Sequence, residues 1–311
     1  MKTVLLIAGG GTLGTYTGLE LLRLGCKVDV ICLEDKISDH ENLTFYKETA
    51  DLEFLTGFLA GKHYDGIVNF IHYPDIEVYK PVHELLTAHT DHLIFLSSYR
   101  VYADEQHPVT ETAPRLLDVS TDEEYLAVET YSVPKAKAED FLWQEARGRN
   151  FTIVRPVISF SERRFDVVTR SNHIITDAAR TGETVYLPRT SRHLVAGLDW
   201  AGNSGKLIAH LLFKPETFGE AYTISSAQNL TWEEVADLYT DILGVHFEWV
   251  DDDFYINHYG ITGNALWILL YDRFFDRTID NSKVLKATGL TADDFTSIEE
   301  GIRIELGRLA E

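Results

Sequence analysis

Thr3-Val4-Leu5-Leu6-Ile7-Ala8-Gly9-Gly10-Gly11-Thr12-Leu13-Gly14 reads as a strand that runs into a glycine turn and leaves it as a helix. Residues 3–8 are apolar and largely β-branched or leucine, without polar alternation, as in a strand covered on both faces. Beyond the turn, Leu13, Thr17, Leu21, Leu22 and Leu24 recur at helical spacing until Gly25, a natural stop. Gly9, Gly11 and Gly14 complete G-x-G-x-x-G in the strand-to-helix context that gives the motif its meaning. Gly11 permits the close approach of a pyrophosphate, Gly14 brings helix against strand, and main-chain N–H groups from Thr12 and Leu13 onward can hold the anion.

Outward from this unit the pattern repeats. Strands are expected at Lys27 to Leu33, Ile67 to Ile71, Leu93 to Ser97 and Phe151 to Val154, with helices at Leu52 to Leu59, Val82 to Ala88 and Tyr131 to Glu145. Such alternation predicts an α/β fold, a Rossmann doubly wound parallel sheet, because each crossover must be right-handed and helical. From Ser159 the rhythm breaks into shorter pieces, with helices at Trp200 to Leu212 and Trp232 to Leu243 and a strand at Ala221 to Ile224. We therefore expect a dinucleotide-binding domain over 1–158, with returns to the sheet around 194–226, and a smaller C-terminal substrate-binding cap over 159–311.

The chain has 311 residues and a formal net charge of −21, with no Lys/Arg-rich run. Nucleic-acid binding needs a local basic footprint, so small molecules are the expected partners. The apolar run at the start is too short for a membrane span of about 20 residues and lacks a cleavage pattern. Cys26 and Cys32 cannot bridge along one strand, which fits a reducing, cytoplasmic setting.

The end of the second strand reads Cys32-Leu33-Glu34-Asp35-Lys36. A carboxylate there can accept from the adenosine ribose, whereas NADP usually needs an arginine, so Glu34 favours NAD over NADP. Tyr131-Ser132-Val133-Pro134-Lys135 puts Tyr131 and Lys135 on one helix face, with Pro134 in the first turn or else kinking the helix. A nearby ammonium and a nicotinamide cation both favour the phenolate, making the pair a general base and acid. Ser97 and Ser98 end an earlier strand, so Ser98 and Tyr131 can face one substrate at the carboxyl edge of the sheet.

With these residues in place the chain resembles the extended short-chain dehydrogenase/reductase family, in particular its NAD-dependent epimerase/dehydratase branch, over nearly its whole length. Ser97 to Ala103 is similar to the family's S-S-x-x-V-Y-G element, and Tyr131 and Lys135 match its Y-x-x-x-K. The resemblance implies Ser98, Tyr131 and Lys135 as catalytic residues, with Tyr131 and Lys135 also on the cofactor. It further implies Asp51 and Leu52 at the adenine, Pro156 at the cofactor, Tyr99 and Arg155 at the substrate, and Arg273 on its diphosphate. Glu111, Asp199 and the Asp280-Asn281-Ser282-Lys283 tail also resemble family positions. A homodimer through the Tyr131 and Val82 to Ala88 helices is a further expectation.

Some positions depart from the pattern. Ala8 stands where the family has its first glycine, and Ala103 replaces the last glycine of V-Y-G. The interval between Ser98 and Tyr131 is longer than in family members, and its acidic residues, among them Asp118, Asp122, Glu123 and Glu124, are expected on a surface loop near the pocket mouth. Sugar-nucleotide dehydratases carry Asp-Glu after the catalytic Ser/Thr, whereas Tyr99-Arg100 follows Ser98 here. The implied activity is thus an epimerase acting on a nucleotide sugar through NAD. A reductase or dehydrogenase of another hydroxyl or keto substrate is the alternative, and a non-catalytic nucleotide-sensing or RNA-associated relative a third reading. His83, His89 and His92 are read as ordinary histidines rather than metal ligands, Asp251 to Asp253 as a solvated turn, and Trp232, Trp249 and Trp267 as cap core.

Overall fold

The computed structural model describes residues 1–146, 148–169 and 172–309. Its strands are β1 (Thr3–Ile7), β2 (Lys27–Cys32), β3 (Leu43–Lys47), β4 (Gly66–Asn69), β5 (Leu93–Leu96), β6 (Phe151–Pro156), β7 (Ile158–Phe160), β8 (Val185–Pro188), β9 (Leu198–Trp200), β10 (Ala221–Ile224) and β11 (Phe247–Val250). Seven of them form one parallel sheet in the order β3-β2-β1-β4-β5-β6-β10. The order reverses on either side of β1, so the glycine turn leaves the sheet at the crevice where doubly wound folds take their ligands.

Both faces of the sheet are covered, which is why its inner strands are apolar throughout. Leu55, Leu59, Val82, Leu86, Phe141 and Leu142 pack from the Leu52–Leu59, Ile76–Ala88 and Ser132–Gln144 helices onto Leu5, Ile67, Phe95 and Ile153. On the opposite face the Thr12–Arg23, Ala201–Leu211 and Ser282–Thr288 helices bring Leu21, Leu207, Leu211 and Val284 against Leu6, Val30, Val68 and Ile94. Two of these covering helices and β10 belong to the C-terminal half, which therefore returns to the sheet. The remainder builds its own core around Trp232, Tyr239 and Tyr255, with β8 and β11 paired in parallel and β7 paired with β9.

Several expectations need correction. Strand β3 was not anticipated; it is a partly exposed edge strand whose alternation is blurred by Phe45 and Tyr46. The third helix begins at Ile76 and runs through Pro81, because Asp75 caps its start and Tyr79, Val82, His83 and Leu86 bury one face. The acidic stretch after Ser98 is not a surface loop. It forms the short Leu116–Val119 and Glu123–Val128 helices, anchored by the fully buried Tyr125 stacked on Tyr271 at 4.0 Å. Asp122 caps the second of these helices and Asp118 pairs with Arg115 at 2.8 Å. Cys26 precedes β2 rather than lying within it, and both cysteines are free and buried.

The three histidines have separate partners. His92 accepts from the Phe213 N–H at Nδ1 (3.0 Å) and meets the Thr152 hydroxyl at Nε2 (2.8 Å), while His83 is walled by aromatic rings and half-buried His89 contacts the Lys62 carbonyl. Asp251 caps the Asp252–Tyr259 helix. Among the described residues no helix is long and apolar enough to cross a membrane.

Candidate active site

The carboxyl ends of β1, β4, β5 and β6 open into a cavity of about 450 Å³, closed on the far side by Ile268 and Arg273 of the C-terminal half. Gly11, Thr12, Leu13 and Gly14 form its floor, Ser98, Tyr99 and Tyr131 one wall, and Pro156 a further edge. Sequence reading thus brings together residues separated by more than half the chain. It missed Ala8, Phe70, Arg100, Ser159 and Arg164, which also line the space.

The floor is built by close approach. A Cβ on Gly14 would lie 2.4 Å from the Gly9 main chain, so only glycine lets the Thr12–Arg23 helix start against the end of β1. At Gly11 nothing lies within 4 Å of such a Cβ, so this surface is open. Gly11 caps the helix without a side-chain hydrogen bond, leaving the first N–H groups to an external acceptor. Ala8 has φ +55, in the left-handed region where glycine is favoured. The turn geometry of a leading glycine is therefore kept with a methyl group in its place.

Tyr131 immediately precedes the Ser132–Gln144 helix. Glu129, 5% exposed, accepts from the N–H groups of Tyr131 and Val133 at 2.9 Å each and fixes the start of that helix. The His72 ring lies 5.0 Å from that of Tyr131; burial first, and Lys135 second, lower its pKa. Lys135 sits beneath Tyr131, its nitrogen 6.0 Å from the ring centroid, donating to the main-chain carbonyls of Ile71 and Leu96. It is fully enclosed, and burial pushes its ammonium down to about 7, opposed by the charge of Glu139. Ser98 is buried and its hydroxyl accepts from the Arg100 N–H at 3.2 Å.

The structure does not bring every expected residue to the cavity. Arg155 is 1% exposed and turned away, because Phe151, Ile153 and Arg155 share the face of β6 toward the Ser132–Gln144 helix. Its guanidinium holds both carboxylate oxygens of Glu139 at 2.8 Å and donates to the Tyr102 hydroxyl at 2.9 Å. Arg155 is thus a buried structural cation, and the expectation that it binds substrate is corrected. Asp51 caps the Leu52–Leu59 helix, accepting from Phe54 at 2.8 Å, so neither it nor Leu52 lines the cavity. Glu34 lies over the outer side of the glycine turn, 2.2 Å from where a Gly10 Cβ would stand, with Arg163 at 3.9 Å.

Behind the wall, Asp272 is a hub. It accepts from the Tyr99 hydroxyl at 2.9 Å, pairs with Arg273 and with Arg277 at 3.2 Å, and lies 3.7 Å from Arg100. The carboxyl is enclosed, yet these guanidinium groups hold its pKa below the usual range. Glu111, by contrast, serves β10 by accepting from Thr223 at 2.7 Å. Asp199 is bonded to Asn203 and Ser226, and burial raises it to about 6.

The sequence matches no family model and no curated protein. Solved structures do match. The dTDP-glucose 4,6-dehydratase of Bacillus anthracis in complex with NAD superposes with TM-score 0.71 at 17% identity, over 99% of this chain and 96% of that one. This chain has the fold of NAD-dependent epimerases and dehydratases. The Thermus thermophilus UDP-glucose 4-epimerase complex with NAD gives TM-score 0.68 at 17% identity over 99% of each chain. The Bordetella bronchiseptica enzyme WbmH in complex with NAD+ gives 0.71 at 16% identity, over 100% of this chain and 99% of that one. The Rossmann sheet expected from sequence is therefore the sheet found.

Proposed function

We propose that the chain is an NAD-dependent epimerase of nucleotide sugars. The observation that carries the reading is one cavity holding an uncapped helix start bordered by glycines, together with Ser98 and Tyr131, above a buried Lys135. Two neighbours in fold, a UDP-glucose 4-epimerase and a dTDP-glucose 4,6-dehydratase, each in complex with NAD, support it.

The residues present fit a dinucleotide. The open surface over Gly11 admits a pyrophosphate, and the first N–H groups of the helix receive its charge. When bound, NAD supplies a hydride acceptor that also returns the hydride. In this reading Tyr131 removes the proton from the substrate hydroxyl and later gives it back, and Lys135 favours the anionic phenol while protonated. Ser98 donates a hydrogen bond to the reacting oxygen and orients it beside Tyr131. Arg273 lies on the wall where a diphosphate of the substrate would meet it. Dehydration needs a further acid and base after Ser98; Tyr99 is committed to Asp272 and Arg100 is a permanent cation, so epimerisation is favoured.

A second reading, an NADP-dependent reductase, draws on the basic groups around Glu34. Lys36 donates to the Gly10 carbonyl at 2.7 Å and Arg163 lies beside the carboxylate, so a ribose phosphate would find cations there. Incubation with nucleotide sugars, followed by proton NMR and cofactor assay, separates the two. An epimerase gives the inverted sugar without net cofactor use, whereas a reductase consumes NADPH in proportion to product.

A further inference from the structure

Arg100 has a place in the cavity that the reaction so far leaves without a task. Its guanidinium lies 5.0 Å from the centroid of the Tyr131 ring, and the side chain is 13% exposed. One end pairs with Glu129 at 3.3 Å. Its Nε is buried and has no hydrogen-bond partner among the described residues, with an Asp272 carboxylate oxygen 3.7 Å away.

The charge around it is also unbalanced. Among the described residues the charged side chains that line the cavity, Arg100, Arg164 and Arg273, are all cations, and together with Arg277 behind them these four guanidinium groups meet three carboxylates, Glu129, Asp166 and Asp272, in a chain of formal charge −21. A largely enclosed cation short of acceptors is costly unless something pairs with it, and the part of Arg100 that stays exposed lines the cavity. A planar carboxylate is the group that a guanidinium holds best. Because Arg100 stacks on Tyr131, the anion it holds would sit beside the carbon whose hydroxyl meets the phenol.

Resting on the epimerase reading above, we infer that the sugar of the substrate carries a carboxylate, held by Arg100 beside the reacting carbon. The substrate class is thus a nucleotide-linked uronate rather than a neutral hexose. The same cation could instead meet the diphosphate, and the two sources of negative charge are separable.

The test uses the purified chain with its cofactor bound and compares uronate and neutral members of UDP-, dTDP- and GDP-linked pairs, glucuronate against glucose and mannuronate against mannose. Calorimetry gives affinity, and the near-ultraviolet absorbance of reduced nicotinamide gives hydride transfer. The expected result is that a uronate binds about 10- to 100-fold more tightly than its neutral partner and alone reduces the cofactor. Arg100→Met should remove that preference while leaving the affinity for the matching nucleoside diphosphate unchanged. Equal or better binding and reduction with a neutral sugar would overturn the inference and leave the epimerase reading intact. A parallel loss of nucleoside diphosphate affinity in Arg100→Met would also overturn it, by assigning Arg100 to the diphosphate. Reduction by no nucleotide sugar of either kind would overturn both. Should Arg100→Met fail to fold, the comparison of the pairs on the unaltered chain decides alone.

Discussion

Glu129 ties Arg100 to the start of the Tyr131 helix: one carboxylate oxygen lies 3.3 Å from the Arg100 guanidinium, and the other takes the N–H groups of Tyr131 and Val133. Removing it would leave two N–H groups at the helix start without their acceptor and Arg100 with Asp272, at 3.7 Å, in place of its closer carboxylate. Glu129→Ala should lower stability by about 3 kcal/mol and reduce turnover, whereas Glu129→Gln, which keeps an oxygen for the N–H groups, should lose about half as much. Urea unfolding of both variants checks the ranking; equal losses would mean that the ion pair with Arg100 dominates.

Tyr131 and Ser98 should divide the chemistry between proton transfer and orientation. Tyr131→Phe should reduce kcat by roughly 100- to 10,000-fold, and Ser98→Ala by about 100-fold, with cofactor content retained in both. Steady-state kinetics on whichever nucleotide sugar reduces the bound cofactor, with cofactor released by denaturation and counted, measures this. Turnover unaffected by Tyr131→Phe would remove the phenol from the mechanism.

Ala8 keeps a left-handed backbone at φ +55 that costs an L-residue about 1 kcal/mol relative to glycine. Ala8→Gly should therefore raise the unfolding free energy by about that amount, offset in part by the freedom glycine gains when unfolded. The urea midpoint should rise with its slope unchanged.

Lys135 makes stability depend on alkali. Burial holds it at about 7 in the folded chain, whereas an unfolded lysine titrates near about 10.4. Between these values the unfolded chain binds more protons, so this contribution makes stability rise as pH increases from about 7 toward 10.4. Lys135→Met should flatten the unfolding free energy over that window; an unchanged slope would show that Lys135 keeps an ordinary pKa.

His83 and His92 act in the acid range. Burial pushes each down to about 4, against about 6.5 for a free histidine, and His83 Nε2 has no hydrogen-bond partner among the described residues. The unfolded chain takes up these protons first, so stability should fall as pH drops from about 6.5 to 4. Asp199, raised to about 6, opposes part of that loss because it is protonated first in the folded chain. His83→Phe, a swap of similar volume among Tyr79, Phe141 and Phe151, should weaken the pH dependence of unfolding measured between pH 4.5 and 7.

How far the sequence reveals this molecule depends on whether a residue acts through local geometry. The turn at Gly9 to Gly14 was legible because strand, close approach and helix start are all encoded within a dozen residues. The Leu52–Leu59 and Trp232–Leu243 helices and β10 follow their apolar periodicity closely. Arg155 misled because the end of a parallel strand is where ligands bind, yet side-chain alternation, rather than position along the strand, decides which way it faces. Arg100 was visible only as a departure from an acidic motif. Its stacking on Tyr131 and its link to Glu129 join elements far apart in sequence, and no local signal reports them. The Asp272 hub escaped notice for the same reason.

The central claim is that the cavity keeps a nicotinamide dinucleotide through a catalytic cycle. Purification without added nucleotide, denaturation, and identification of the released cofactor by chromatography and mass test it most directly. The account predicts NAD or NADH at close to one per chain. Recovery of no cofactor, with NADPH alone binding on addition, would contradict it.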